Sequence, residues 1–266
     1  MPEISRIPFV KATAYGNDFL IIRKEFQGSD AAALTRALCD RHNGIGADGV
    51  EWLSDENGYA ARIHLINADG SFAEISGNGT RCVAAHLVAS GGGEELLIAT
   101  DAGPKRCRLT DRSGTHYDFL TEMGEPVLKK AFEIDLGHVR YHGVPVSMGN
   151  PHFVIFVPEF PANWHEDSQL IQARHDLFPE GINIEWVHCD SASQISIRIY
   201  ERGAGETLSS GTGTSASAAA AIATRHCAAN LTVVAPGGTQ RVRWMTGRSL
   251  KLEGSANLIC SGEFFL

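Results

Sequence analysis

The sequence lacks the features that mark membrane, secreted and nucleic-acid-binding proteins. No run approaches about 18 apolar residues, which argues against a membrane-spanning helix. Residues 1–11 contain no apolar segment of the kind found in a signal peptide. There is no basic run, and the formal net charge of −8 argues against nucleic acid and anionic membranes as partners. We therefore expect a cytoplasmic protein without a membrane or nucleic-acid partner.

Several chemical signatures are also missing. The six cysteines are scattered without C-x-x-C spacing, so we expect reduced, buried thiols. The eleven histidines have no metal-ligand spacing, which predicts no metal site, and no G-x-S-x-G elbow of a hydrolase is present. Residues 44–49 match a dinucleotide fingerprint, but they follow a predicted helix and precede a predicted strand, the wrong order for that fold. We expect no nicotinamide cofactor.

What the sequence does contain is an internal repeat. Residues 76–80 read Ser-Gly-Asn-Gly-Thr, and residues 210–214 read Ser-Gly-Thr-Gly-Thr, 134 residues later. Further pairs keep nearly that offset: Gly-Asn at 16–17 and 149–150, and Gly-Ile at 44–45 and 181–182. Matches in one order indicate two copies of one unit, which is too few for a solenoid. With 43% hydrophobic residues, the chain can build two cores.

The pattern predicts an α+β fold of two pseudo-symmetric domains. Helices are predicted at 30–41 (with Ser29 as N-cap), 78–89, 167–175 and 213–226. Residues 215–223 are almost all Ala and Ser, and a helix apolar on every side is normally enclosed. Each domain is therefore expected to be a strongly curved, mostly antiparallel sheet or barrel around a central helix. The predicted domains are residues 1–123 with 256–266, and residues 124–255, the last strand (258–266) returning to the first domain.

The two Ser-Gly-x-Gly turns are the strongest candidates for a site. Glycines let backbone N–H groups converge, and a helix N-terminus adds partial positive charge, so each turn can cradle an anion. Either turn alone reads as an ordinary serine N-cap. Because two equivalent turns occur, we expect them to face each other across a domain interface around a small ligand bearing carboxylates.

Other polar residues at turns are candidate ligand contacts. Asn67 and Glu201 are equivalent in the repeat, and Glu201 is followed by Arg202. An arginine suits a carboxylate, and a glutamate suits an ammonium group. Asn17, Asn150 and Asn183 lie in further turns, where a single Asn is usually structural.

These motifs resemble the diaminopimelate epimerase family over essentially the whole chain. The residues that carry the resemblance are Gly-Asn-Asp-Phe at 16–19, Arg-His-x-Gly-Ile-Gly-Ala-Asp-Gly at 41–49, Asn-Ala-Asp-Gly-Ser at 67–71, Gly-Asn-Gly-x-Arg-Cys at 77–82, Gly-Asn-Pro-His at 149–152 and Glu-Arg-Gly-Ala-Gly-Glu-Thr at 201–207. The resemblance implies two similar domains and a cofactor-independent isomerase. It would interconvert LL- and meso-diaminopimelate for lysine and peptidoglycan biosynthesis. A homodimer is also implied.

The resemblance also assigns roles to residues. The family's two catalytic cysteines, one on each face of the substrate Cα, correspond here to Ser76 and Ser210. The distal amino and carboxylate groups would be held by Asn17, Asn67, Asn150, Asn183, Glu201 and Arg202. The carboxylate of the reacting centre would be held by N–H groups of Gly77, Asn78, Gly211 and Thr212. His152 and Glu206 are candidate supporting bases, and no metal is expected.

The serine pair is the departure from the family pattern. If an alkyl hydroxyl is about 5 pKa units weaker than a thiol, forming its anion costs roughly 7 kcal/mol more. One helix N-terminus supplies only about 0.3–2 kcal/mol. Three alternatives to full epimerase activity therefore stay open: a relative acting on another amino acid, a form inactivated by exchange of both cysteines for serine, and a non-catalytic amino-acid-binding protein.

Overall fold

The structure is a computed structural model that describes residues 6–224 and 227–266. Within those two ranges lie four α-helices: α1 (Ala31–Cys39), α2 (Gly77–Ala89), α3 (Trp164–Gln172) and α4 (Gly211–Ala223). The strands of the first half are β1 (Arg6–Ala14), β2 (Asn17–Arg23), β3 (Gly49–Ser54), β4 (Ala61–Asn67), β5 (Phe72–Ala73), β6 (Glu95–Ala99), β7 (Lys105–Ser113) and β8 (His116–Gly124). Those that follow are β9 (Val127–Leu128), β10 (Phe132–Asp135), β11 (Arg140–Ser147), β12 (Pro151–Phe156), β13 (Asn183–Ser191), β14 (Gln194–Glu201), β15 (Gly205–Thr207), β16 (Asn230–Ala235), β17 (Gly238–Arg243) and β18 (Leu250–Phe265).

The chain forms two compact units. The first runs to Thr121 and resumes at Gly254–Leu266, and the second is Glu122–Glu253. The strand predicted at the end of the chain is confirmed, because β18 pairs antiparallel with β1, from Arg6 opposite Phe265 onward.

Strand order repeats between the units. In the first unit β1 pairs antiparallel with β2, β2 parallel with β3, β3 antiparallel with β4, and β4 parallel with β6, which pairs antiparallel with β7. In the second unit β11, β12, β13, β14, β16 and β17 repeat the same pattern, two parallel pairings included. A single unit with two copies explains this match. The predicted α+β fold of mostly antiparallel strands is confirmed.

Each unit has one core around its central helix and a second core on the other face of the sheet. Helix α2 packs on β1, β2, β6 and β7, and α4 packs on β11 to β14, β16 and β17. Residues Gly211 to Ala221 of α4 are all buried, which confirms the enclosed helix predicted from its Ala and Ser content. The second core lies against α1 in the first unit, with Val50 and Trp52, and against α3 in the second, with Ile184 and Trp186.

Several predicted helix boundaries were wrong. Helix α1 is capped by Asp30, whose carboxylate accepts the N–H of Ala33 at 2.9 Å, rather than by Ser29. Asp and Ser are comparable N-caps, so composition could not choose between neighbours. Helix α3 begins at Trp164, three residues before the predicted start, and ends at Gln172. Helix α4 begins two residues earlier than predicted, at Gly211. Residues 225–226 of the predicted helix lie outside the described residues.

Two further properties bear on the class of protein. Among residues 6–224 and 227–266, no helix combines the length and apolarity needed to cross a membrane. The six cysteines are free thiols: Cys39, Cys82 and Cys107 are buried, Cys189 and Cys227 are half-buried, and Cys260 is exposed. The prediction of buried thiols therefore holds for three of the six.

Candidate active site

The first candidate turn begins helix α2. Ser76 has extended backbone angles (φ −117°, ψ 124°), and its Oγ accepts the N–H of Gly79 at 3.0 Å. Ser76 is half-buried, whereas Gly77, Asn78 and Gly79 are buried. The Ser76 hydroxyl therefore caps the helix and lies at the N-terminal end, where the helix favours negative charge.

Side chains behind this turn hold it in place. The fully buried guanidinium of Arg81 donates to Asn78 Oδ1 and, through Nε, to the carbonyl of Ser255 at 3.4 Å. It also lies over the ring of Tyr15, 5.6 Å from the centroid. Cys82, one residue further, is fully buried, and burial raises the pKa of its thiol. A fully buried thiol of raised pKa is a poor source of thiolate, so Cys82 cannot take the role of a cysteine at position 76.

Asn17 and Asn67 both lie near the start of β3 in the same unit. Asn17 Nδ2 donates to Asp48 Oδ2 at 2.6 Å. Asn67 lies opposite Gly49, the residue after Asp48, and its Nδ2 donates to Ser71 Oγ at 3.0 Å. Asn17 is therefore bonded to the residue that precedes β3, and Asn67 lies opposite the first residue of that strand.

An ion-pair network stabilises that turn. Arg41 donates to Asp18 at 2.8 Å and to Asp48 at 2.7 Å, and Lys11 Nζ lies 2.9 Å from Asp18. Burial works to raise the pKa of Asp18, but hydrogen bonds from Arg41 and Lys11 outweigh it and lower that pKa. The Asp18 carboxylate is thus held ionised next to Asn17.

The second candidate turn begins helix α4 and has the same geometry. Ser210 is extended (φ −139°, ψ 127°), and its Oγ accepts the N–H of Gly213 at 3.2 Å. The hydroxyl of Thr212 lies 3.4 Å from Ser210 Oγ and accepts from Asn150 Nδ2 at 3.3 Å. Gly211, Thr212 and Asn150 of the predicted set therefore meet at one helix start.

Glu201 joins this second turn. Burial raises the pKa of Glu201, a hydrogen bond from the Ser210 side chain lowers it, and nearby Glu185 and His152 act in opposite directions. Net, the pKa of this carboxyl is raised. A hydroxyl bonded to a carboxyl of raised pKa is an arrangement suited to passing a proton.

His152 connects the turn to a buried carboxyl. Its Nδ1 lies 2.7 Å from Glu185 Oε1, and its Nε2 lies 2.9 Å from Asn150 Oδ1. The side chains of His152 and Glu185 are both fully buried. A continuous chain of hydrogen bonds therefore runs from Glu185 through His152 and Asn150 to Thr212.

The remaining predicted residues lie further along the second unit. Asn183 Oδ1 accepts the backbone N–H of Arg202 at 3.0 Å, and Asn183 Nδ2 donates to the carbonyl of Pro151 at 2.8 Å. Arg202 donates to the carbonyl of Glu180 at 2.6 Å. Glu206 instead lies at the surface, where its carboxylate pairs with His165 Nε2 at 2.7 Å. Its role as a supporting base stays a prediction.

Sequence reasoning missed two buried carboxyls, Glu51 and Glu185. Both are fully buried, and a carboxyl oxygen of each lies close to a glycine in the first turn of the central helix, Gly79 and Gly213 respectively. Their signal was present in the repeat: Val-Glu-Trp-Leu at 50–53 answers to Ile-Glu-Trp-Val at 184–187, 134 residues later. Burying a glutamate side chain in an apolar strand without a partner costs free energy. A functional role for this pair could therefore have been predicted from the repeat. In the described part of the chain, no three His, Cys, Asp or Glu side chains are arranged to hold a metal ion.

Comparison with known proteins agrees with this duplicated geometry. The sequence profile of the diaminopimelate epimerase family matches residues 9–129 and 144–259. The chain belongs to the diaminopimelate epimerase family. It is 32% identical to the diaminopimelate epimerase of Carboxydothermus hydrogenoformans over 97% of this chain and 99% of that relative. It is 34% identical to that of Natranaerobius thermophilus, covering 96% and 97%.

Two solved structures share the fold. A hydroxyproline epimerase from Agrobacterium vitis superposes with a TM-score of 0.78 at 15% identity, covering 98% of this chain and 93% of that one. A phenazine biosynthesis protein of the PhzF family from Bacillus anthracis gives 0.74 at 15% identity, covering 98% and 100%. At such identity the likeness concerns the fold alone. The curated relatives are diaminopimelate epimerases matched over nearly their whole length, so the chain is an isomerase by descent.

Proposed function

We propose that this protein interconverts LL- and meso-diaminopimelate by proton transfer at Cα, without a cofactor. Inversion by two bases requires one proton-transfer group for each face of the carbon. Each unit supplies one, Ser76 in the first and Ser210 in the second, at the start of its central helix. This duplicated serine cap is the observation that carries the proposal.

The groups around the two hydroxyls have assigned tasks in this proposal. The N–H groups of Gly77, Asn78, Gly211 and Thr212 bind the carboxylate beside the reacting carbon, and so stabilise the charge that develops as the proton leaves. Asn17, Asn67, Asn150, Asn183, Glu201 and Arg202 hold the distal amino and carboxylate groups. Glu201, through its hydrogen bond with Ser210, also accepts and returns the hydroxyl proton.

A second candidate function is amino-acid binding without turnover. It is favoured by the serines, because a hydroxyl about 5 pKa units weaker than a thiol adds roughly 7 kcal/mol to anion formation. The hydrogen bond of Ser210 to Glu201 reduces that burden, because the proton passes to a carboxyl instead of leaving a free alkoxide. For this reason we favour the epimerase.

One experiment separates the two functions. The protein is incubated with LL-diaminopimelate in D₂O, and loss of the α-proton signal is followed by NMR while binding is measured by calorimetry. Epimerase activity gives exchange above the buffer rate together with appearance of the meso isomer. Exchange at the buffer rate despite binding would identify a binding protein. The control variant Ser76→Ala/Ser210→Ala must lose exchange, since unchanged exchange would mean that other groups move the proton.

A further inference from the structure

Glu51 is a buried carboxyl that the functions assigned so far leave unused. It lies in the middle of β3, opposite Ile21 of β2 and Leu65 of β4. Its neighbours Val50 and Trp52 point into the core against α1. Because side chains alternate along a strand, Glu51 points to the other face, toward α2.

The carboxyl of Glu51 is aimed at the first turn of α2. A Cβ built on Gly79 would lie 1.8 Å from Glu51 Oε1 and 3.2 Å from the Cβ of Ser76. Glu51 and Ser76 therefore both approach the same point beside Gly79. Neither carboxyl oxygen of Glu51 has a hydrogen-bond partner, although the residue is fully buried. Burying such a group without a partner costs several kcal/mol, so its retention calls for a role.

In the second unit, the equivalent carboxyl has a hydrogen-bond partner. Glu185 Oε1 is hydrogen-bonded to His152 Nδ1 at 2.7 Å. His152 lies opposite Asn183 across β12 and β13, and Phe19 lies opposite Gly49 across β2 and β3, two residues before the glutamate in each case. Phe19 thus occupies the position equivalent to His152, and its ring has no nitrogen with which to form a hydrogen bond to Glu51.

The two serines differ in a complementary way. Ser210 has a carboxyl partner in Glu201. In the repeat, Glu201 corresponds to Asn67, an amide that cannot take up a proton. The first unit therefore lacks a carboxyl where the second has one, and holds an unpartnered carboxyl beneath the serine instead.

We propose that Glu51 is the positioning residue for Ser76, exchanging a proton with its hydroxyl across the first turn of α2. The proposal rests on the proposed function. When Ser76 Oγ takes the proton from Cα, its own hydroxyl proton passes to the Glu51 carboxylate. In reverse, Ser76 gives its proton to Cα and receives one from the Glu51 carboxylic acid. No other reactant is needed, and Ser76 never becomes a free alkoxide.

The electrostatics of the site suit this exchange. Burial raises the pKa of Glu51 to about 8. A carboxyl whose pKa lies near the working pH can both accept and return a proton. The N-terminal end of α2 favours the anionic form once it appears.

A cysteine introduced at position 76 tests whether that position is coupled to Glu51, and the test does not require the protein to be catalytically active. In Ser76→Cys, alkylation by iodoacetamide is measured against pH on the peptide that contains residue 76. Adding Glu51→Gln removes a like charge beside the thiolate, so the midpoint should fall by about one pH unit. Adding the exposed control Glu25→Gln should leave the midpoint unchanged. A midpoint that does not change with Glu51→Gln overturns the proposal. If Glu51→Gln does not fold, the same measurement is made with Glu51→Leu.

A kinetic comparison then tests the role in turnover. In the protein with both serines, Glu51→Gln should lower kcat for α-proton exchange at least about 10-fold with little change in KM. Glu51→Asp should recover part of the rate, and Glu25→Gln should match the unchanged protein. A kcat retained by Glu51→Gln overturns the proposal. If the unchanged protein shows no exchange, the proposed function fails, while the thiol titration still decides whether Glu51 and position 76 are coupled.

Discussion

Glu51 and Glu185 occupy equivalent positions on β3 and β13, but only Glu185 is bonded to a histidine. Glu185 Oε1 lies 2.7 Å from His152 Nδ1, whereas both oxygens of Glu51 are without a partner. The difference follows from one exchange in the repeat, histidine at 152 and phenylalanine at 19. A duplicated scaffold has therefore acquired two chemically different settings for the same buried carboxyl.

Glu51 should make stability depend on pH. Burial raises its pKa from 4.5 to about 8. Below about 4.5 the carboxyl is protonated in both folded and unfolded chains, so its contribution is fully present. As pH rises toward 8 the unfolded chain releases the proton first, and the folded state loses stability relative to it. Between pH 4.5 and pH 9, the free energy of unfolding of Glu51→Gln should therefore rise by about 4–5 kcal/mol relative to that of the unchanged protein.

Urea unfolding of both proteins at several pH values measures that gain. Taking the difference between them cancels groups that titrate in both. Glu25→Gln, at an exposed position, serves as the control and should show no such trend. A difference between Glu51→Gln and the unchanged protein that stays constant across the range would mean that Glu51 has an ordinary pKa.

A methyl group at Gly79 should be tolerated less well than one at Gly213. The added Cβ would lie 1.8 Å from Glu51 Oε1 at Gly79, but 2.8 Å from Glu185 Oε1 at Gly213. Overpacking of this kind costs about 1–3 kcal/mol, so we expect Gly79→Ala near the upper end and Gly213→Ala near the lower. Thermal denaturation measures both. Combining Gly79→Ala with Glu51→Ala should recover stability; additive losses would show that the carboxyl is not the obstacle.

The sequence predicted the architecture far better than it predicted the interior polar groups. The offset between residues 76 and 210 revealed the duplication, and the Ala-rich content of α4 revealed its burial, because both depend on pattern alone. Helix starts were less certain, since Asp30 and Ser29 are equally good caps. The environment of the Glu51 side chain could not be predicted from the sequence. Whether a strand glutamate meets a histidine or a phenylalanine depends on register across two parallel strands, which composition does not encode.

Restoring cysteine at both helix starts should raise the rate of α-proton exchange. The thiol is the stronger acid by about 5 pKa units, and if half of that difference appears in the barrier, Ser76→Cys/Ser210→Cys gains roughly 100–1000-fold. The measurement is NMR exchange in D₂O at pH 8. Cys260→Ser, at an exposed thiol, is the control for added or lost reactivity elsewhere. A double variant no faster than the serine protein would remove these positions from the chemistry.

Exchanging the partners of the two carboxyls should exchange their behaviour. In His152→Phe, Glu185 keeps its buried position without the imidazole, and leaving a buried polar group without its hydrogen-bond partner costs about 1–3 kcal/mol. In Phe19→His, Glu51 gains the partner that Glu185 has, so its pKa should fall and the loss of stability at high pH should shrink. Unfolding of both variants at pH 5 and 9 tests this reciprocity. If the free energy of unfolding of Phe19→His varies with pH as that of the unchanged protein does, residue 19 does not contact Glu51. The two units would then be equivalent in their backbones but not in these side-chain contacts.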